Sequence, residues 1–306
     1  MSESPNCAKT TRYLAINSPV QVDPKAQLGD VLNLDRYPIH ALDSEAGQAM
    51  LAEARAGLDA VGCCCLKGFV RTKALAAMKA EIEAGYDQIF WSGNSHNPYF
   101  SLDDDSYEVD HPRRHFERRT SGFFNSDLIG PDSPMTRIYD SELMRQFVGH
   151  ALRDPDIYCW ADSLGRNPYG VMKPGNYFPW HFDGNAYTVS ILVQQADEGG
   201  VFEYAPDLRN PEDECYDEVR SVLDGDRSRV QQLPLKEGDL QIFKGRYSMH
   251  RVTKVLGARN RYIALPTYTR DPQTVNNPER SKQIYGRATS LHWERAALAK
   301  IDKLSD

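Results

Sequence analysis

The 306-residue sequence has no uninterrupted apolar run long enough to cross a bilayer as a helix, which takes about 20 residues. It also lacks positive charge. With 36 basic against 43 acidic residues the net charge is −7, without the basic footprint expected of a nucleic-acid partner. The opening Met1-Ser2-Glu3-Ser4-Pro5 has no basic region leading into an apolar stretch, so no secretory signal is read there. Internal repeats and low-complexity tracts are missing. So are His-Glu-x-x-His and clustered His and Cys, which argues against a zinc hydrolase. Cysteine is sparse, and Cys63-Cys64-Cys65 stand side by side between glycines in a short apolar segment. Neighbours on a strand point to opposite faces, so this triplet suits neither a disulfide ladder nor a four-thiolate zinc site. It reads as small buried hydrophobes in a reducing cytoplasm. These absences lead to the expectation of a cytoplasmic protein with a small-molecule partner and no nucleic-acid or membrane partner.

What is present divides into two halves. Residues 1 to about 40 are polar and proline-bearing and are expected to wrap the surface. A helix should start at Asp43-Ser44-Glu45, where Asp and Ser are good N-caps, with Met50, Leu51, Ala54 and Leu58 as its apolar stripe. The cysteine strand follows, and then a helix from Thr72 to Gln88 with Leu75, Met78, Ile82 and Tyr86 on one face. From Trp91 to Pro134 the chain is polar but rich in aromatics, as suits an ordered excursion over an active site. Ser141 to Leu152 reads as a further helix. Beyond Tyr158 come short strands: Tyr169 to Met172, Tyr187 to Gln195, Val201 to Tyr204, Asp239 to Phe243, and Tyr262 to Tyr268. Strands with this turn punctuation suggest a jelly roll or barrel. An acidic insertion, Pro206 to Asp226, carries a helical stripe of Tyr216, Val219 and Leu223, and Leu291 to Leu304 reads as an amphipathic helix.

The chemistry concentrates in His181-Phe182-Asp183 and the distant His250. Residues i and i+2 of a strand project to one side, so His181 and Asp183 can bite one metal. With a remote histidine they make the two-His, one-carboxylate facial triad of non-haem Fe(II), which leaves coordination positions open. Arg261 lies on a later strand, on one face with Ile263 and Leu265, and a planar guanidinium suits bidentate binding of a carboxylate. Arg259 competes for that task, since a one-residue bulge changes which arginine faces inward. Thr267 can hydrogen-bond either ligand.

Three segments carry a resemblance: Trp180-His181-Phe182-Asp183, Gly199-Gly200-Val201-Phe202-Glu203-Tyr204, and Gly245-Arg246-Tyr247-Ser248-Met249-His250-Arg251-Val252. Over about residues 155 to 270 the chain resembles the Fe(II)/2-oxoglutarate-dependent dioxygenase superfamily. His111-Pro112-Arg113-Arg114 and Asp132-Ser133-Pro134-Met135-Thr136-Arg137-Ile138-Tyr139 narrow the likeness to its HalD/ArpA-like branch, hydroxylases and radical halogenases of free amino acids. The resemblance implies an α+β fold with a double-stranded β-helix (jelly-roll) core in a single domain. Residues 1–154 would form an N-terminal helical and loop region, 155–270 the jelly roll, and 271–306 a C-terminal segment. It implies iron on His181, Asp183 and His250, 2-oxoglutarate on Arg261, and dioxygen as the other cosubstrate. Oxidative decarboxylation of 2-oxoglutarate to succinate and carbon dioxide would drive oxidation of an unactivated C–H bond. Halogenases of this branch lack the carboxylate ligand, so Asp183 implies hydroxylation. Desaturation, cyclisation, and a non-catalytic metal or small-molecule binder are the alternatives.

Substrate contacts are harder to read. Within the basic cluster from Arg113 to Arg119, Arg118 is the expected clamp for an amino acid's carboxylate. Asn185, just past the ligand pair, is expected to contact substrate or iron-bound water, and Trp293, with His292, to close the pocket from the C-terminal helix. Each of these could instead be ordinary packing or solvated surface. His96, His111, His115 and His150 have no comparable partners and are read as non-ligands.

Overall fold

The computed structural model describes residues 28–299. Alternation with a period of two decides its architecture. Along Thr188–Gln194, Val189, Ile191 and Val193 are buried in the main apolar core, while Thr188 and Ser190 line a cavity on the opposite face. The same division separates Leu240 and Ile242 from Gln241 and Phe243, and Tyr262 and Ala264 from Arg261 and Ile263. It also splits the cysteine triplet, with Cys64 in the main core and Cys63 in a second cluster.

Eleven strands build the two main sheets. In chain order they are β1 (Cys63–Leu66), β2 (Phe90–Ser92), β3 (Ser121–Phe124), β4 (Tyr169–Met172), β5 (Phe178–His181) and β6 (Thr188–Gln194). There follow β7 (Phe202–Ala205), β8 (Gln231–Leu233), β9 (Leu240–Phe243), β10 (Met249–Val252) and β11 (Arg261–Ala264). The major sheet runs β1-β9-β6-β11-β4-β3-β2 and the minor sheet β8-β7-β10-β5, with antiparallel pairing throughout. Cys63, Met172 and Phe243 of the major sheet meet Phe202, Tyr204 and Val252 of the minor sheet in one apolar cluster. The two sheets thus face each other as a double-stranded β-helix.

Helices α1 (Glu45–Val61), α2 (Thr72–Ala84), α3 (Pro134–Tyr139) and α4 (Glu142–Leu152) join the core on the outer face of the major sheet. The Ser44 hydroxyl caps α1 by accepting from the Gly47 amide at 3.1 Å, and Gly62, at φ 68°, ends it in the left-handed conformation. Met50, Leu51, Ala54 and Leu58 are its buried stripe, as the spacing predicts. Helix α5 (Tyr216–Leu223) packs Val219 and Val222 with Trp180, Phe182 and Met249, on the outside of the minor sheet. Two more helices follow, α6 (Pro278–Tyr285) and α7 (Ser290–Ala299), and the rest of the expected C-terminal helix lies outside the described residues. Among the described residues no helix is long and apolar enough to cross a membrane.

Three expectations are corrected. Of the segment expected to wrap the surface, the described part buries Leu28, Val31, Leu32, Leu34 and Ile39 in the main core. Its turns place apolar side chains inward without the period of a helix or strand. The second helix stops at Ala84, and Tyr86–Gln88 forms a separate 3-10 turn. The last strand stops at Ala264, ahead of Pro266, which has no N–H for a ladder, and Tyr268–Thr269 pairs apart with Tyr158–Cys159.

Helix α7 is tied to the jelly roll by one buried carboxylate. Asp162 accepts from the amides of Leu164 (2.9 Å) and Gly165 (3.2 Å), from Asn276 Nδ2 (3.0 Å) and from His292 Nε2 (3.0 Å). Both Asp162 and His292 are fully buried. Removing this carboxylate leaves several buried donors, the His292 imidazole among them, without an acceptor, at a cost of about 1–3 kcal/mol. Asp162→Ala is therefore expected to lower unfolding stability by about that amount in urea titration. A loss below about 1 kcal/mol, the size of an exposed ion pair, would refute the anchoring role.

Candidate active site

The minor sheet brings the two distant histidines together. His181 ends β5 and lies directly across from His250 of β10. The Nδ1 of His181 is 2.8 Å from the Pro179 carbonyl oxygen, and that of His250 is 3.0 Å from the Ser248 carbonyl oxygen. A carbonyl can only accept, so each Nδ1 carries the proton and each Nε2 lone pair is free to bind metal. Those Nε2 atoms lie 3.8 Å and 3.5 Å from Asp183 Oδ1, and all three groups offer ligand atoms within 4.8 Å of one another.

Asp183 is held from two sides. Its backbone amide donates to the Gly245 carbonyl at 2.9 Å, and the Thr188 hydroxyl donates to Oδ2. A Cβ on Gly245 would overlap Oδ2, so only glycine leaves the carboxylate its place. Burial holds the His181 imidazole well below its ordinary pKa, with help from His250, and so keeps it neutral. Burial pushes the Asp183 carboxyl up, but His250, His181 and Thr188 outweigh it and hold the group ionised. Two imidazole nitrogens and a carboxylate oxygen converging on one point make a donor set for a cation. That donor set fits Fe(II), with His181, Asp183 and His250 as the residues that would hold it.

Arg261 faces the same cavity from the major sheet. It is 3% exposed and has no hydrogen bond or ion pair to any described residue, and burial alone pushes it down to about 10. Gly200, at φ 61°, lies beneath it, where a Cβ would come within 3.0 Å of Arg261 Cδ. A buried guanidinium without a counter-charge is costly, and the distal carboxylate of 2-oxoglutarate fits its fork. Arg259 lies elsewhere: it is exposed and pairs with Glu237. A register shift against β6 does occur, between Tyr262 and Ile263, but Arg261 and Ile263 both line the cavity across it.

Thr267 and Asn185 both line the cavity, Asn185 at its exposed mouth. Two expected substrate contacts are displaced. Arg118 is exposed on a short strand, and the next residue, Arg119, enters the cavity instead. The basic cluster has no clear period, so sequence alone does not phase it. Trp293 is 49% exposed, with Lys282 Nζ 4.7 Å from its ring centroid, and does not line the cavity. Arg280, Ile284 and Tyr285 of α6 supply that wall. Helix α6 was missed although Asn277-Pro278-Glu279 offers a signal, an N-cap, Pro at the first position and an acid in the first turn. Glu203, beside the cavity-lining Phe202, does not line the cavity and is saturated by Arg251, Arg227 and Gln232. His96 packs on Phe100 outside the triad.

The cavity encloses about 340 Å³, small among ligand sites, which span about 300–1,000 Å³. Phe100, Phe178 and Phe202 give it apolar walls around the histidines.

Residues 112–285, more than half of the chain, match the family model described as Halogenase D. Among solved structures, AviO1 from Streptomyces viridochromogenes is similar at 16% identity and a TM-score of 0.50, covering 74% of this chain and 97% of that one. The non-haem alpha-ketoglutarate-dependent epimerase SnoN from nogalamycin biosynthesis is similar at 14% identity and a TM-score of 0.50, covering 72% and 83%. Such likenesses establish the fold alone. No curated protein matches the sequence. A jelly roll that carries two histidines and one carboxylate converging in its cavity belongs to the Fe(II)- and 2-oxoglutarate-dependent oxygenases. Within them, the chain belongs to the halogenase D family, and its converging His181, Asp183 and His250 fit Fe(II).

Two outcomes test these placements. Arg261→Leu should weaken 2-oxoglutarate binding by about 100-fold, as expected for two charge-assisted hydrogen bonds, with Arg259→Leu changing it by less than about threefold. Calorimetry on both variants decides between the arginines, and equal effects would reject the assignment. Gly245→Ala should lower Fe(II) affinity by about tenfold or more through displacement of Asp183, while circular dichroism stays native. Unchanged metal affinity would show that the carboxylate does not need that space.

Proposed function

We propose that this protein hydroxylates an unactivated C–H bond of a small molecule, a free amino acid or an amino-acid derivative of specialised metabolism. The observation that carries the reading is Asp183. Its carboxylate converges with His181 and His250, at the position where a halogenase needs space for halide. With that position filled by protein oxygen, transfer of a hydroxyl group remains the outcome the site favours over halogen transfer.

When bound, iron with 2-oxoglutarate and dioxygen supplies the oxidising power, and the protein decides which C–H bond receives it. His181, Asp183 and His250 would grip one face of the metal and leave the other open for cosubstrates. Their orientation is set by the Pro179 and Ser248 carbonyls, the Thr188 hydroxyl and the Gly245 backbone. Arg261 would fix the far end of 2-oxoglutarate. Phe100, Phe178 and Phe202 shield the metal side from water. Desaturation or cyclisation on the same scaffold would differ only in the hydrogen presented, a matter of about an ångström.

The test is anaerobic reconstitution followed by turnover. Fe(II) with 2-oxoglutarate should give a weak visible charge-transfer band, and one member of an amino-acid panel should gain one oxygen with stoichiometric succinate. Asp183→Ala should abolish that product. A loss of two hydrogens in place of oxygen gain would move the reading to desaturation, and no coupled amino acid would end the amino-acid assignment.

A further inference from the structure

Two cations in the cavity have no part in holding iron or 2-oxoglutarate. Arg119 is 5% exposed, and its Nε donates to Ser121 Oγ at 2.9 Å. One of its terminal nitrogens is buried with no hydrogen-bond partner. The guanidinium of Arg280, on α6, has no hydrogen bond or ion pair to any described residue; only its backbone amide is engaged, donating to Asn277 Oδ1 at 2.7 Å. Each guanidinium lies on an aromatic face: Arg119 is 4.5 Å from the Phe178 centroid and Arg280 4.2 Å from that of Phe100. Those rings lie 6.5 Å apart, and both pack on His181, with centroids at 3.9 Å for Phe178 and 5.5 Å for Phe100. Both cations therefore sit one ring away from the metal ligands. Arg280 is close enough to depress the proton affinity of Arg119, which is pushed down to about 10 by burial first and by Arg280 second.

The charges of the loaded site sharpen the point. Among the described residues Asp183 is the only carboxylate lining the cavity. Iron(II) and Arg261 together balance Asp183 and the 2-oxoglutarate dianion, so the loaded cavity still carries the charge of Arg119 and Arg280. Nothing in the lining offers a carboxylate to a basic side chain. Two like charges beside each other in a small apolar-walled cavity are unfavourable until an anion reaches each. We infer that the substrate carries two acidic groups, in the first instance an acidic amino acid, with Arg119 and Arg280 receiving one carboxylate each. Asn276 lines the same cavity with Nδ2 committed to Asp162, which leaves its amide oxygen for an α-ammonium group. This inference rests on the hydroxylase reading and names its substrate class.

Calorimetry on the anaerobic Fe(II)·2-oxoglutarate protein tests it, with L-aspartate, L-glutamate and L-2-aminoadipate, the amides of the first two, and L-lysine as probes. At least one acid that has a paired amide should bind tenfold or more tighter than that amide, with lysine weaker still. Of Arg119→Gln and Arg280→Gln, one should bring the acid-to-amide ratio close to one, and the other should weaken acid and amide alike. Both should keep the charge-transfer band, which shows that the metal site is folded. Lysine or an amide binding as tightly as the acids, or no acid binding at all, would overturn the proposal, as would an unchanged ratio and affinity in both variants. Failure of the band in the parent protein would instead sink the iron and 2-oxoglutarate reading, and the acid-to-amide ratio would still decide this one.

Discussion

The pairing of Met249–Val252 against Phe178–His181 is the constraint on which the site depends. It sets His250 directly across from His181, so two residues far apart in sequence present neighbouring Nε2 atoms. A slip of one residue would turn one histidine to the other face of the sheet, into the packing of Trp180 and Met249 under α5. The register does shift once, between His250 and Val252, beside Pro179, which has no amide to give to a ladder. The Pro179 carbonyl lies instead at hydrogen-bond distance from His181 Nδ1 and fixes the tautomer that metal binding requires. One local irregularity thus serves both the strand pairing and the chemistry.

Around that pair the protein keeps charges that its own side chains do not neutralise. Surface arginines such as Arg137, Arg153 and Arg287 lie against carboxylates. In the cavity Arg261, Arg119 and Arg280 do not, and the aromatic faces beneath Arg119 and Arg280 compensate only in part. A fold selected for stability alone would replace such groups with apolar ones of similar volume. Their retention in one cavity, beside a metal-ligand cluster, makes them receptors for anions that arrive with the ligands. Asp162 shows the contrast: it is as buried as Arg261 and Arg119 but saturated by hydrogen bonds, and its role is to hold Asn276 and α7 in place.

Much of this was legible in the sequence, for a specific reason. Strand alternation is rigid, so the inward set of Arg261 and Ile263 follows from period two. The same alternation runs just past the strand ends to bring in Asp183 after His181 and Leu265 after Ala264. The cysteine triplet divided between faces by the same rule. What failed lacked such a ruler. The basic cluster belongs to short strands and turns, so the choice between Arg118 and Arg119 had no phase to settle it. Residues 28–39 reach the core through turns, and their apolar positions fit neither period. Helix α6 buries only Pro278, Ser281 and Tyr285, too thin a stripe to announce itself, although its N-cap was readable. The contact of His292 with Asp162 spans 130 residues and has no local signature. It makes His292, not Trp293, the residue that seats the C-terminal helix.

The family match and the site geometry pull in different directions in one respect: the family is described by a halogenase, and this chain places a carboxylate where a halogenase leaves space. The most direct measurement is anomalous diffraction from crystals grown with Mn(II) and 2-oxoglutarate. The expected map has the metal bonded to His181 Nε2, His250 Nε2 and an Asp183 oxygen, with Arg261 paired to the distal carboxylate of the cosubstrate. A metal bound by the two histidines alone, with Asp183 turned away and solvent or halide in its place, would contradict the account.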